Sequence, residues 1–251
     1  MVWYESGGSG ARTILLLHGL GATGAVWHGL ERALEGSNLG SWIAPDLSGH
    51  GSSGGHPHYS VGQLAADMVE LVREAEDEVV VVGHSLGAYV GLALASGWFG
   101  VEVRAVLGIG PKISWSEEDL EQAVELAGRP LRWYPSSEEA WARYRRVCGL
   151  DAAIAADEHW LARGVKQAES GWLLAQDSLT FGVAGAPFDS LYASARARVR
   201  LARGEHDKLV TNAQLRQYDA AAVEIAGAGH NAHVEQPQAI VSLLEALLDH
   251  G

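Results

Sequence analysis

Short apolar runs alternate with longer amphipathic segments along most of the 251-residue chain. The apolar runs are rich in β-branched residues and almost free of polar positions, which is typical of parallel strands covered on both faces. The pattern predicts strands at residues 13–18, 41–46, 79–84, 103–110, 199–207 and 222–227. It predicts intervening helices at residues 26–34, 60–75, 86–96, 212–218 and 236–249. We therefore expect an α/β fold with a mostly parallel, doubly wound sheet.

The alternation is interrupted between residues 111 and 187, where Ala-rich, charged helical periodicity takes over and no good strand pattern is found. We interpret residues 1–110 and 188–251 as the α/β core and residues 111–187 as a helical insertion, or cap. The insertion is rich in aromatic residues, namely Trp115, Trp133, Trp141, Trp160, Trp172, Tyr134, Tyr144 and Phe181. Such side chains either line an apolar pocket or pack the insertion onto the core, and both interpretations stay open.

The formal net charge of −13 argues against nucleic acid and anionic membranes as partners, because both require clustered Lys and Arg. The basic residues Arg143, Arg145 and Arg146 are interleaved with other residue types, and we interpret them as a solvated face. Cys148 is the single cysteine, so no disulfide can form within the chain, and we expect a buried or half-buried bystander. We find no secretory signal and no apolar run of membrane-spanning length, and expect a soluble cytoplasmic protein.

The stretch Gly83-His84-Ser85-Leu86-Gly87 lies between a predicted buried strand and a predicted helix. The G-x-S-x-G pattern in that context is typical of a nucleophilic serine on a strained turn, where flanking glycines avoid collisions. The turn also brings the hydroxyl to the positive end of the following helix. We interpret Ser85 as the candidate nucleophile and His84 as a packing or pocket-wall residue.

A serine nucleophile needs a neighbouring base, and the base needs an orienting group. Asp207 ends a predicted strand, and His230 follows the next one. The carboxyl ends of parallel strands meet at one edge of a sheet, so both side chains can approach Ser85 there. We prefer this pair because a glycine-loosened strand end precedes each residue. Alternatives stay open, with Glu205 or Asp219 as the acid and His206 or His233 as the base.

Acyl transfer also needs hydrogen-bond donors for the oxyanion. The glycine-rich stretch His18-Gly19-Leu20-Gly21 follows the first strong strand, and we expect the backbone N–H groups of Leu20 and Leu86 to be these donors. The stretch lacks the spacing and the lysine of a phosphate-binding loop, so a nucleotide site is not expected.

The turn after the second strand contains Asp46 and His50, a pair that resembles a metal site or a second acid–base pair. Such turns more often use Asp and Ser side chains to satisfy local backbone groups, so we assign it to structure. His50, His56 and His58 lack a convincing carboxylate partner at ligand spacing, and we predict no metal.

Together these stretches resemble the α/β-hydrolase superfamily, specifically the single-domain members with a helical cap, across nearly the whole chain. The resemblance implies a triad of Ser85, Asp207 and His230, with the oxyanion held by the N–H groups of Leu20 and Leu86. A serine nucleophile argues against haloalkane dehalogenases and epoxide hydrolases, whose elbow presents an aspartate. The chain departs from the family in its short leading region, which we expect to form a strand near residues 2–6, and in lacking a proline before the strand that ends at Asp207.

The resemblance implies a serine hydrolase that cleaves a carboxylic ester of a small to medium, rather apolar substrate without a cofactor. Carbon–carbon bond hydrolases, lactonases, thioesterases and menaquinone-pathway-type lyases share these motifs and remain alternatives. A small-ligand receptor that retains the triad is an alternative of another class. The expected partner is a small-molecule substrate, and the oligomeric state is not indicated.

Overall fold

The structure is a computed structural model, and it describes residues 1–73, 78–150 and 159–249, with side chains omitted at 159–161. The strands within these ranges are β1 Tyr4–Gly8, β2 Arg12–Leu17, β3 Ser41–Pro45, β4 Glu78–His84, β5 Val103–Ile109, β6 Val165–Ala168, β7 Gly171–Leu174, β8 Arg198–Gly204 and β9 Val223–Ile225. The main sheet has the order β1-β3-β2-β4-β5-β8-β9. β1 is antiparallel to β3, and the other strand pairs of this sheet are parallel. The mostly parallel α/β sheet expected from the sequence is confirmed.

The α-helices of the described residues are α1 His28–Glu35, α2 Val61–Val72, α3 Leu86–Leu94, α4 Glu117–Ala127, α5 Ser137–Val147, α6 Phe188–Ser194, α7 Asn212–Leu215, α8 Ala232–Glu235 and α9 Pro237–Asp249. α2 begins after Ser60 because the Ser60 side chain accepts a hydrogen bond from the Gln63 N–H. The predicted helix over 60–75 extends into residues 74–77, which lie outside the described residues. In the described part of the chain, no helix has both the length and the apolar character needed to cross a membrane.

Two hydrophobic cores lie on opposite faces of the sheet. Ile14 and Leu16 of β2 pack in the core that contains side chains of α1 and α9, while Leu15 and Leu17 pack in the core formed with α2 and α3. All four side chains are completely buried. Burying one such side chain stabilises the fold by roughly 1.5–3 kcal/mol. The central strands are therefore apolar at consecutive positions because each face of the sheet has its own core.

The prediction that residues 111–187 contain no strand is wrong. β6 and β7 form a two-stranded antiparallel hairpin, and an isolated bridge joins Tyr134 to Trp172 of β7. Each strand has only four residues, and neither has a β-branched run, so periodicity gives no signal for them. Cross-strand pairing with a distant segment stabilises β7 instead.

The leading strand predicted near residues 2–6 is present as β1, two residues later than expected. The strand predicted over 222–227 is the three-residue β9, and the helix predicted over 212–218 is the four-residue α7. The predicted strand over 199–207 ends at Gly204, so Asp207 lies in the following loop rather than in the strand. β1 is shifted without being shortened, whereas β8, β9 and α7 end earlier than predicted.

Candidate active site

Ser85 occupies a sharp turn between β4 and α3, with φ of 49° and ψ of −110°. It is the only residue other than glycine with a positive φ in the described ranges 1–73, 78–150 and 159–249. A backbone of this kind costs on the order of 1–3 kcal/mol and persists when its surroundings hold it. The Ser85 N–H donates to the carbonyl oxygen of Ile109 at 2.8 Å, which ties the turn to β5.

The glycines on either side of this turn are required by close backbone packing. A Cβ atom on Gly83 would lie 2.4 Å from the carbonyl carbon of Gly87. A Cβ atom on Gly87 would lie 1.9 Å from the carbonyl oxygen of Leu17. Both distances are far below van der Waals contact, so the G-x-S-x-G pattern is enforced by sterics at both of its glycines.

The structure brings Asp207 and His230 together. Asp207 Oδ2 lies 2.9 Å from His230 Nδ1, and Asp207 Oδ1 accepts a hydrogen bond from the Leu209 N–H at 2.8 Å. The Asp207 side chain is fully buried, whereas the His230 side chain is 24% exposed. With the carboxylate facing Nδ1, the favoured tautomer carries its proton there and leaves Nε2 as an acceptor.

A glycine and a buried arginine support this pair. Gly110 has φ of 58°, and a Cβ atom there would lie 3.0 Å from Asp207 Oδ2 and 3.2 Å from the His230 ring. Arg203 is buried at the end of β8, and its Nη2 donates to the carbonyl oxygens of Glu205 and Asp207. Sequence reasoning missed both residues, because their roles depend on contacts with loops rather than on a motif.

The alternative acids and bases lie elsewhere. Glu205 and His206 are exposed. Asp219 is bonded to Arg200 and to the Leu201 N–H along β8. His233 is fully buried with neither ring nitrogen hydrogen-bonded in the described structure, and burial lowers its pKa to about 3.

Ser85, His84 and His230 line one cavity of about 450 Å³, together with Leu20 and Leu86. Leu86 is the first residue of α3, so its N–H precedes the intrahelical hydrogen bonds and is available to a ligand. Among the described residues, Ser85 Oγ and His230 are not hydrogen-bonded to each other. Such bonds are often long before substrate binds.

His84 lies in the cavity wall, in agreement with its interpretation as a wall residue. Its Nε2 is 3.0 Å from the carbonyl oxygen of His230, and its ring packs against His230 and His233 with centroids 4.6 Å and 4.2 Å away. The Trp27 ring also packs against His233, with centroids 4.4 Å apart. Burial holds the pKa of His84 well below its ordinary value, so its Nε2–H donates while the ring stays neutral.

Two buried histidines hold the glycine-rich loop that contains Leu20. His18 Nδ1 donates to the Gly19 carbonyl oxygen at 2.8 Å, and its Nε2 accepts from the Leu47 N–H at 2.8 Å. His50 Nε2 accepts from the Gly21 N–H at 3.1 Å. Burial lowers the pKa of His18 to about 4 and that of His50 to about 3, so both remain neutral and keep their acceptor nitrogens.

The turn containing Asp46 and His50 bonds to backbone groups, as expected from the sequence, but one of its partners lies in a distant loop and not in the turn itself. Asp46 Oδ1 accepts from the Gly24 N–H at 2.8 Å and Oδ2 accepts from the Ser52 N–H at 2.9 Å. The statement that the nearby histidines lack a carboxylate partner is wrong for His56, because its Nε2 lies 2.8 Å from Asp67 Oδ2. Spacing along the chain missed this pair because α2 supplies Asp67 from eleven residues later.

The cavity wall also contains side chains from residues 111–187. Trp115 and Phe181 line the cavity, while Trp141 and Trp172 pack against the core and Trp133 is 42% exposed. Tyr134 and Tyr144 are buried in the same core, and the Trp160 side chain lies outside the described residues. Arg146, interpreted as part of a solvated face, is exposed but also lines the cavity.

One turn at the end of α5 contacts both loops beside Ser85. Cys148 is half-buried, as expected, but it is more than a bystander, since its Sγ donates to the Gly21 carbonyl oxygen at 3.3 Å. Burial raises the pKa of this thiol to about 12, which keeps it protonated. Asn231, next to His230, donates to the carbonyl oxygens of Cys148 and Gly149 at 2.9 and 3.0 Å.

Residues 14–243 match the alpha/beta hydrolase family. Lipase LipV of Mycobacterium tuberculosis is 29% identical over 176 residues, which are 66% of this chain and 63% of that protein. Pimeloyl-[acyl-carrier protein] methyl ester esterase of Salmonella newport is 31% identical over 94 residues, 38% of this chain and 35% of that protein. The matches thus span less than two thirds of these curated relatives.

Among solved structures, E-2-(acetamidomethylene)succinate hydrolase superposes with a TM-score of 0.80 and 23% sequence identity. The superposition covers 98% of this chain and 94% of that chain. At this identity the likeness establishes a common fold.

Proposed function

The chain belongs to the alpha/beta hydrolase family, and on that basis we propose that it is a serine hydrolase that cleaves carboxylic esters through an acyl-enzyme on Ser85. The observation that carries the proposal is the strained Ser85 turn, which opens into the same cavity as a histidine bonded to a buried carboxylate. The names of the relatives, a lipase and a methyl ester esterase, support an ester as the bond cleaved.

In the proposed reaction, His230 Nε2 accepts the Ser85 proton as Oγ attacks the ester carbonyl carbon. The N–H groups of Leu20 and Leu86 donate to the oxyanion, and each such donor is worth about 3–4 kcal/mol of barrier. His230 then protonates the leaving alcohol. Water, deprotonated by His230, attacks the acyl-enzyme and releases the carboxylic acid and free Ser85. Asp207 holds the imidazole tautomer and stabilises its positive charge.

The cavity supports a small to medium, rather apolar substrate. Its volume of about 450 Å³ falls within the usual range for small-molecule sites. Apolar side chains such as Leu126, Phe181 and Val183 form much of the wall. A chain of several methylene groups attached to the ester would bury its surface there.

The test is a panel of 4-nitrophenyl esters of graded acyl length, with a thioester and a lactone included. Ser85→Ala is expected to lower kcat by at least about 10³-fold, because the acyl-enzyme cannot form. Ser9→Ala, at an exposed serine in the loop between β1 and β2, is the matched control and should keep wild-type kcat. Wild-type turnover in Ser85→Ala would contradict the proposal.

Labelling with an active-site-directed phosphonate identifies the nucleophile directly. Peptide mass spectrometry is expected to find the phosphonate on Ser85 in the wild type and on no residue in Ser85→Ala. Labelling of another residue, in a protein that hydrolyses esters, would identify that residue and not Ser85 as the nucleophile.

A further inference from the structure

The cavity above Ser85 has a positively charged wall in a chain whose formal net charge is −13. Within the described residues, the charged side chains of the wall, histidines aside, are Lys112, Asp119 and Arg146. Lys112 Nζ lies 2.6 Å from Asp119 Oδ1, and the hydrogen bond from Lys112 lowers the pKa of Asp119 to about 2. Asp119 is therefore ionised at neutral pH and balances Lys112. The charge left over is that of Arg146.

Arg146 has no carboxylate partner among the described residues. The ion pair of the cavity wall joins Lys112 to Asp119, and no ion pair within the described residues includes Arg146. A guanidinium that is paired with no described carboxylate, beside an apolar cavity, offers planar donors that match a carboxylate. The long arginine side chain at this position can carry its charge over the cavity mouth.

The backbone around Arg146 places it near the reacting groups. It lies in the last turn of α5, and the next three residues also line the cavity. Within that turn, Cys148 bonds to the Gly21 carbonyl oxygen and also accepts from Asn231, beside His230. Arg146 thus lies a few residues from contacts with both loops that flank Ser85.

A basic residue in the last turn of a helix also has a purely structural use, since it interacts favourably with the helix dipole. Arg145 occupies the same turn and does not line the cavity. The dipole therefore accounts for a basic residue in this turn but does not account for a second one in the cavity wall.

We propose that Arg146 is a specificity residue that binds a carboxylate on the substrate, at the end of the chain remote from the scissile ester. The substrate class is then a monoester of a dicarboxylic acid, whose methylene chain packs on the apolar wall. This proposal rests on the proposed ester hydrolysis at Ser85. It identifies the chemical group at the end of the substrate that the triad does not contact.

The experiment compares 4-nitrophenyl hydrogen adipate with 4-nitrophenyl methyl adipate, which differ at the remote end only by a negative charge and a methyl group. The wild type is expected to have a higher kcat/KM for the anionic ester. Arg146→Gln is expected to lower the ratio of the two kcat/KM values about three- to fivefold, as for an exposed ion pair. Arg146→Lys should have a ratio between those of Arg146→Gln and the wild type, because lysine keeps the positive charge but lacks the planar pair of guanidinium donors.

Arg143→Gln is the matched control, because it makes the same charge change on α5 outside the cavity wall. It should leave the ratio unchanged within about twofold, since long-range effects of one surface charge are screened. Raising the ionic strength from about 0.05 M to about 0.5 M should lower the wild-type ratio. An equal fall of the ratio in both variants, or an unchanged ratio in Arg146→Gln, overturns the proposal.

A binding measurement separates this proposal from that of ester hydrolysis. Calorimetric titration of Ser85→Ala with monomethyl adipate and with dimethyl adipate reports recognition without turnover. Adding Arg146→Gln should weaken binding of the monoanion about three- to fivefold relative to the diester. If Arg146→Gln removes the binding selectivity but the wild type hydrolyses no ester, only the proposed ester hydrolysis is contradicted. If the wild type hydrolyses esters but Ser85→Ala binds both ligands equally well, only the role of Arg146 is contradicted.

Discussion

Arg203 Nη2 donates a hydrogen bond to the main-chain carbonyl oxygen of Asp207 at 2.7 Å. The bond fixes the loop after β8, so that the Asp207 carboxylate faces His230 while its other oxygen accepts from Leu209. A buried guanidinium here acts on the backbone of the acid rather than on its charge.

We expect Asp207→Asn to lower kcat about 10³- to 10⁴-fold, because the amide no longer holds the histidine tautomer that can accept the Ser85 proton. The matched control is Glu205→Gln, whose parent side chain is exposed and bonds the Gly227 N–H. It should change kcat by less than about threefold. Steady-state kinetics on a 4-nitrophenyl ester measure kcat for both variants. A larger loss of kcat in Glu205→Gln than in Asp207→Asn would identify Glu205 as the acid.

Gly87→Ala is expected to destabilise the fold by about 3 kcal/mol or more, because its Cβ would lie 1.9 Å from a backbone oxygen of β2 that cannot move easily. Gly182→Ala is the control, since no other atom lies within 4 Å of a Cβ placed there. Its free energy of unfolding should stay within about 0.5 kcal/mol of wild type. Urea denaturation measures both, and equal stabilities would show that the elbow can relax.

Asn231→Ala removes two hydrogen bonds to the carbonyl oxygens of Cys148 and Gly149. We expect a loss of stability of about 1–3 kcal/mol and faster amide hydrogen exchange in residues 146–149. Hydrogen-exchange mass spectrometry follows that segment directly. The exposed Asn38 offers a control, and Asn38→Ala should leave exchange in the segment unchanged. Unchanged exchange in Asn231→Ala would mean that the segment is held by other contacts.

His233 makes the stability of the fold depend on pH. Burial lowers its pKa to about 3, whereas in an unfolded chain a histidine has a pKa of about 6.5. Below pH ~6.5 the unfolded state therefore binds more protons, and stability falls with decreasing pH by up to about 1.4 kcal/mol per pH unit for this group. Above that pH the contribution is fully present.

His233→Phe keeps a ring between Trp27 and His84 and removes the titrating nitrogens. We expect its free energy of unfolding to fall less steeply than that of wild type between pH 6.5 and pH 4.5. Denaturant titrations across this range measure the two slopes. Mutation of the exposed His58 to Gln should leave the slope unchanged, and parallel curves for wild type and His233→Phe would contradict the prediction.

The positions of the core strands along the chain, and the expectation that Ser85, Asp207 and His230 lie at one edge of the sheet, follow from local patterns. Apolar runs predict buried strands, and the carboxyl ends of parallel strands lie together. The hairpin of β6 and β7 could not be predicted, because its strands are short and depend on pairing with Tyr134. The burial of Arg203 could not be predicted either, since nothing in its neighbourhood along the chain distinguishes a buried guanidinium from a surface one.

The roles of His18 and His50 had a signal that could have been used. β2 and β3 are parallel neighbours, and each histidine follows the end of one of these strands. Their partners Leu47 and Gly21 lie 29 residues away along the chain, close to the strand offset of 28 residues between Thr13 and Ser41. Because β2 and β3 are parallel neighbours, the turns that follow them lie side by side, and each histidine is predicted to reach the other turn.

The turn formed by residues 146–149 has a consequence for exchanging segments between homologous proteins. It contacts the loop of Leu20 through Cys148 and the loop of His230 through Asn231. A chimaera that replaces residues 111–187 with the corresponding segment of another protein would therefore also alter the support of both loops. Substrate range and reaction rate would change together in such grafts, unless the last turn of α5 is retained from the recipient.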